Sequence, residues 1–359
     1  MAAHSHQRLL IMDLFKLIAS FFVVIIHCNF PGSIGVAAKA IARFAVPFFF
    51  LCSGYFLYGS DCKKILNKLI RTVKLCFSAV LLYASFRFAC LLLGNTLSEA
   101  IRHFLSIFSW HVIVKWIVFN VNIFSVHLWY LDAMVYVYAI HWLIRYFRVS
   151  EKFIFASSFV LLGLHLLIWQ ILLTRGGTLS DATFIVRNFF FDGYPLVGIG
   201  MYIRKHREKI PQLTLSSMVL LVILGESLAV LSRYFIGNKS VPIGAIITAI
   251  TLICYSTQSH KIKITSLLQN SAPYSIYIYV LHPIVIDIVS FAFKKLPISA
   301  TSVIWQNFKP IAVCFCSLIL AVILHHISNK FNATVHRSWP SDEARHGRGL
   351  EGLLKRYFK

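Results

Sequence analysis

Charge is what this sequence has least of. Only 13% of its 359 residues are Asp, Glu, Lys or Arg, and the acidic ones number 13 against 35 basic. A water-covered globular surface carries about a quarter to a third charged residues, so most of this chain is not covered by water. No Cys-x-x-Cys pair occurs, and most of Cys28, Cys52, Cys62, Cys76, Cys90, Cys254, Cys314 and Cys316 lie in apolar runs. That pattern fits small buried thiols and argues against disulfides or a metal site. The sequence shows no internal repeat or low-complexity stretch, and no attached soluble catalytic domain is expected. The opening segment does not read as a cleavable signal peptide, because Asp13 and Lys16 interrupt its apolar block and no small-x-small exit follows. The shortage of acid leaves a formal net charge of +22. Its bases fall between apolar blocks rather than along one polar face. Nucleic acid is therefore not the expected partner; loops held on an anionic membrane surface are.

What the chain has in quantity is hydrocarbon. Hydrophobic residues make up 58%, with 31 Phe and 15 Tyr suited to lipid-facing and interfacial surfaces. Crossing about 30 Å of bilayer core takes about twenty helical residues. Blocks of that kind fall near residues 9–28, 42–59, 73–94, 127–146, 153–173, 187–203, 213–236, 241–257, 273–293 and 308–328. The expected fold is an all-α integral membrane protein, a bundle of about ten transmembrane helices. Basic clusters follow the even-numbered spans: Lys63, Lys64, Lys68, Arg71 and Lys74; then Arg145, Arg148 and Lys152; then Arg204, Lys205, Arg207 and Lys209; then Lys261 and Lys263. The positive-inside rule puts these loops, and both termini, in the cytoplasm. Residues 102–126 mix apolar and basic side chains and read as an interfacial or re-entrant segment on the outer side. The organisation expected is a transmembrane domain over 1–335 and a polar cytoplasmic tail over 336–359, whose Leu350, Leu353, Leu354 and Tyr357 recur at helical spacing.

An ionisable side chain inside a membrane is costly and marks a functional site by default. In the first span Asp13 and Lys16 lie three apart and share a face, where they are expected to pair. His27 is eleven residues beyond Lys16, about 16 Å further along and within about 20° of the same face. A cation near the inner end and a titratable base near the outer end suit a long anionic donor threaded from the cytoplasm. Arg43 either snorkels to headgroups or contacts substrate. His127, beside Trp129 and Tyr130, belongs either to an aromatic belt or to an acceptor site. His282, before Pro283, is expected to be structural, bonding across a helix kink. His165 reads as a packed, hydrogen-bonded histidine. Asp192 and Glu226 are carboxyls within spans, expected to face the bundle interior; Arg187 is one candidate partner for Asp192.

IMDLFKLIASFFVVIIHCNF resembles the opening of the membrane acyltransferase-3 family, in which D-x-x-R is followed by ten residues and then the active histidine. ARFAVPFFFLCSGYFL resembles its R-x-x-VPxFFxxSGY segment through Arg43, Pro47, Ser53, Gly54 and Tyr55. KLIR resembles its R-x-x-R element, HLWYLDA at 127–133 its HLWYL, and YSIYIYVLHPIV at 274–285 its late Y-x-x-H-P. The family includes the membrane modules fused to serine/alanine racemases. The resemblance implies transfer of an acyl group, acetyl foremost, from cytoplasmic acyl-CoA to a hydroxyl or amine of an envelope or exported glycan. His27 carries over as the active histidine, a general base or a transient acyl carrier, with Asp13 in the catalytic set. Lys16, Lys68 and Arg71 carry over as contacts for the donor's phosphates, and Arg43 and His127 are candidates for the acceptor side. Lys16 and Lys68 stand where the family carries Arg, which keeps the charge but loses the bidentate fork. The donor implied is acyl-CoA, with acetyl-CoA first, and no metal. The partners implied are the lipid bilayer, a glycan or small-molecule acceptor, and glycan-synthesis proteins or a second copy of the chain. The location implied is the bacterial cytoplasmic membrane. A transporter of a small amino acid or glycan would use Asp13, Asp192, Glu226 and His27 as proton-coupled sites instead. A scaffold for a synthase complex would need none of them.

Overall fold

Backbone in hydrocarbon has no water to bond, and an α-helix satisfies its own polar groups within one segment. The computed structural model describes residues 10–174, 184–237, 241–258, 272–294 and 302–338, and among them there is no strand. The helices are α1 (Leu10–His27), α2 (Gly32–Ile41), α3 (Ala45–Tyr55), α4 (Cys62–Leu92), α5 (Leu97–Leu105), α6 (Trp110–Phe119), α7 (Trp129–Tyr146), α8 (Glu151–Thr174), α9 (Tyr194–Lys205), α10 (Leu215–Phe235), α11 (Ile243–Ser256), α12 (Ala272–Lys294) and α13 (Val303–Ser338).

Among the described residues, seven helical segments are long and apolar enough to cross a membrane: α1, α2–α3 taken together, α4, α8, α10, α12 and α13. The α5–α6 pair, bent by 52°, makes an eighth if it is one broken span. It occupies the stretch read as interfacial or re-entrant. Three of the ten expected spans are shorter or more polar than a lipid-facing helix needs. α7 carries Asp132, His141 and Arg145, α9 has 12 residues and α11 has 14. The reason is their place in the bundle. α9 is buried at every position from Tyr194 to Met201, and α11 along most of its length, so protein rather than lipid surrounds them.

Two boundaries differ from those expected. The second span begins at Gly32 rather than 42, because α2 runs through a 3-10 turn, Ala42–Phe44, into α3. The basic cluster at 63–74 is the first part of α4 and not a loop. Asp61 caps that helix by accepting from the Lys64 amide at 2.7 Å, which starts it at Cys62. The Lys261–Lys263 cluster and most of the polar tail lie outside the described residues.

α3 is the central helix, packed against α1, α9 and α11. Its crossing with α9 is a backbone contact. A Cβ on Gly54 would stand 1.9 Å from the Val197 carbonyl oxygen, and one on Gly200 would stand 2.1 Å from that of Leu51. Small residues let membrane helices approach this closely, and Gly225 and Gly244 do the same between α10 and α11. All eight cysteines are free.

Gly200→Val should force α3 and α9 apart and destabilise the bundle by about 1–3 kcal/mol or more. Thermal unfolding in detergent would show a lowered Tm, and an unchanged Tm would contradict the close crossing.

Candidate active site

α1 is unbroken, so Lys16 and His27 ride on one rod about 16 Å apart along its axis. Each opens onto a different cavity. The cavity at Lys16, about 380 Å³, is also lined by Ser53, Phe56, Lys68 and Thr72. The cavity at His27, about 40 Å³, is also lined by Arg43, His127, Trp129 and Arg187. Tyr130 and Tyr279 line both, with ring centroids 5.5 Å apart, and form a wall one tyrosine pair thick.

At the lysine end, Phe56 organises the charges. Lys68 Nζ donates to the Phe56 carbonyl oxygen at 2.7 Å, and Lys16 Nζ lies 5.0 Å from the centre of its ring. Lys16 also pairs with Asp13 at 3.3 Å. Asp13 is thus at the far end of α1 from His27, beside Lys16 rather than beside the histidine. Arg71, one turn beyond Lys68, is exposed and lines neither cavity.

At the other end three histidine rings meet. Ring centroids are 5.2 Å apart for His27 and His282, 6.2 Å for His27 and His127, and 5.0 Å for His127 and His282. His27 is exposed, while His127 and His282 are buried. Pro283 explains how His282 is set. Proline has no amide hydrogen, so the carbonyl of Tyr279, four residues earlier, loses its helical donor. His282 Nδ1 supplies the missing bond at 2.9 Å, and also reaches the Ile278 carbonyl at 3.1 Å. Carbonyls only accept, so Nδ1 carries the proton and Nε2 keeps its lone pair. The structural role expected for His282 is present, and the same bond aims its ring into the histidine cluster.

His127 is set by a relay of hydrogen bonds. Its Nδ1 lies 2.7 Å from Ser125 Oγ. The Ser125 and Phe124 amides donate to Asn122 Oδ1 at 3.2 and 3.1 Å, and Asn122 Nδ2 donates to Asp132 Oδ2 at 3.0 Å. Cys76 Sγ and Trp116 Nε1 also donate to the Asp132 carboxylate, at 2.9 and 3.1 Å. From the other side, Tyr279 Oη donates to the His127 carbonyl. The Nε2 atoms of His127 and His282 are buried without a hydrogen-bond partner.

Arg43 sits in the 3-10 turn between α2 and α3, and Arg187 on the approach to a π-helical turn, Phe189–Gly193. The Arg187 guanidinium lies over the Trp129 ring at 5.4 Å. In that π-turn Asp192 faces His165 of α8, with Oδ1 and Nδ1 3.1 Å apart and both side chains fully buried. Glu226 of α10 lines neither cavity. Among the described residues no group of three His, Cys, Asp or Glu side chains is arranged to hold a metal ion.

Sequence reading therefore singles out His27, Lys16, Lys68, Arg43 and His127, each of which lines one of the two cavities. It passes over the dividing tyrosines, and it weighs Arg187 only as a partner for Asp192. The local signal for Tyr279 and His282 is their spacing ahead of Pro283; Arg187 has none.

A family model described as an acyltransferase domain matches residues 9–329. The chain is similar to an amino-acid racemase of Enterococcus faecalis, 26% identical over 351 residues, covering 90% of this chain and 47% of that protein. A second amino-acid racemase of the same organism is 29% identical over 164 residues, 43% of this chain and 21% of that protein. The chain thus spans about half the length, or less, of these curated relatives. No solved structure matches.

Asp132→Ala strands one buried and two half-buried donors and should cost about 2–4 kcal/mol of stability. Asp132→Asn keeps an acceptor oxygen and should cost no more than about half of that. Unfolding in detergent would measure both, and an Asp132→Ala variant as stable as wild type would mean that the carboxylate is not the anchor.

Proposed function

The chain belongs to the acyltransferase-3 family, and we propose that it transfers an acyl group, acetyl foremost, from cytoplasmic acyl-CoA to a hydroxyl or amine. The acceptor class is an envelope or exported glycan, and the setting is the bacterial cytoplasmic membrane with both termini inside. The observation that carries the reading is the meeting of two cavities at Tyr130 and Tyr279, with lysines at one end and histidines at the other.

Lys16 and Lys68 hold the donor's phosphates at the cytoplasmic mouth, and the flexible thioester arm lies along the larger cavity. The reacting carbonyl reaches the tyrosine pair. A thioester is already activated, so the protein has to place it against the acceptor and manage one proton. His27 takes the proton of the acceptor O–H or N–H as that atom attacks the thioester carbonyl carbon. The C–S bond breaks, and the CoA thiolate leaves and recovers the proton from His27. Acylation of His27 followed by transfer to the acceptor gives the same balance in two steps. His127 and His282 flank the base and keep its proton inside the cluster.

The relatives named as amino-acid racemases support a second reading, in which the bundle moves a small amino acid. Flux that follows a proton gradient and consumes no acyl-CoA would mark that activity.

The experiment is acetyl-CoA binding and turnover in lipid nanodiscs. Wild type should bind saturably, and Lys16→Ala/Lys68→Ala should bind at least tenfold more weakly. Arg71→Ala should stay within about twofold, since Arg71 lies outside the cavity. His27→Ala should retain binding and lose acyl transfer, read as free thiol released from acetyl-CoA. Absence of acyl-CoA binding in folded protein overturns the reading.

A further inference from the structure

The histidine end of the bundle is more basic than acyl transfer alone requires. Arg43 and Arg187 both line the cavity at His27. They lie within electrostatic range of each other, and Arg43 also of Arg233 on α10. Lys39, one turn before Arg43, is within range of both Arg43 and Arg233. A small crevice lined by Arg43, Ser232 and Arg233 adjoins this group. Asp192 is a carboxylate within range of Arg43 and Arg187, and it is seated against His165 at 3.1 Å. Among the described residues, four cations gather here in a place where buried charge is expensive.

Arg187 is posed as a receptor. Trp129 covers one face of its guanidinium, which leaves the in-plane N–H groups as the binding edge. Its Nε is buried and has no hydrogen-bond partner. The cavity, about 40 Å³, holds about three waters' worth of volume, the scale of one carboxylate or phosphate and not of a sugar ring. The donor's own phosphates do not account for this charge, because their lysines lie at the opposite end of α1, beyond the tyrosine pair.

We propose that the acceptor carries an oxyanion group, a carboxylate or a phosphate, beside the hydroxyl or amine that is acylated, and that Arg43 and Arg187 hold that group next to His27. The word acceptor rests on the acyl-transfer reading; the anion site rests on the placement of the two arginines. A bidentate guanidinium contact fixes the orientation of an oxyanion as well as its position. The nucleophile is thereby presented to the imidazole on a short tether.

The test is ligand binding to the full chain in phosphatidylcholine nanodiscs, read by tryptophan fluorescence, since Trp129 lies beneath Arg187. The probes are lactate against propane-1,2-diol and glycerol 3-phosphate against glycerol, pairs that differ in the anionic group. At least one anion should bind saturably and at least tenfold more tightly than its neutral counterpart. Arg187→Gln should weaken that binding at least tenfold, and Arg187→Lys should restore part of it, with thermal unfolding confirming that both variants are folded. Loss of probe binding on adding phosphatidylglycerol would support the site with a lipid headgroup as the anion's source, whereas persistence would support a soluble or glycan source. Equal binding of charged and neutral probes, no anion binding by folded wild type, or an undiminished Arg187→Gln would overturn the proposal. Acetyl-CoA turnover measured on the same wild-type sample separates the two ideas. Anion selectivity without turnover removes the acyl-transfer reading and keeps the site; turnover without selectivity does the reverse.

Discussion

A polar group inside a bilayer has no water to fall back on, and that constraint explains most of what is specific in this bundle. Asp132 is kept in the interior by three donors from α4, α6 and the loop before α7. The carbonyl left unserved by Pro283 takes its bond from His282. Asp192 takes up His165. Each arrangement repairs a local deficit, and the first two aim a histidine ring at His27. The same requirement that lets the chain fold in hydrocarbon thus builds the candidate site.

Features carried by one helix were open to sequence reading. Asp13, Lys16 and His27 sit on α1, and the helical repeat fixes their relation before any tertiary contact is known. Features made by distant segments were not. Asp192 and His165 are 27 residues apart on different elements, and nothing local to either names the other. Arg187 looked like a counter-ion to Asp192; it is within electrostatic range of that carboxylate and also lies on Trp129 beside His27, which nothing local to it announces. Hydropathy located α7, α9 and α11 as apolar blocks, but it could not tell lipid from protein as their surroundings. The shortness of α9 and α11 follows from that difference. The helical start of α4 was hidden by its lysines, although the capping residue, Asp61, was in plain view.

The two ends of α1 also differ in how charge is treated. At the lysine end the cations are shared among an aromatic ring, a carbonyl and Asp13, an arrangement that leaves their N–H groups facing an open cavity. At the histidine end the arginines line a space about a tenth as large. A large cavity lined by ammonium groups tolerates a bulky, flexible polyanion. A small one with planar guanidinium groups selects by shape.

The tyrosine wall has an electrical meaning as well. Cavities that enter from opposite ends bring the surrounding solutions close to each other, so much of the membrane potential would drop across Tyr130 and Tyr279. Moving one elementary charge through 100 mV costs about 2.3 kcal/mol. In the proposed reaction the acyl group that passes the wall is uncharged and the phosphates stay at the lysines. The proton that His27 returns to the CoA thiolate passes it in the other direction, so each turnover carries one charge through the field, and a potential negative inside favours it.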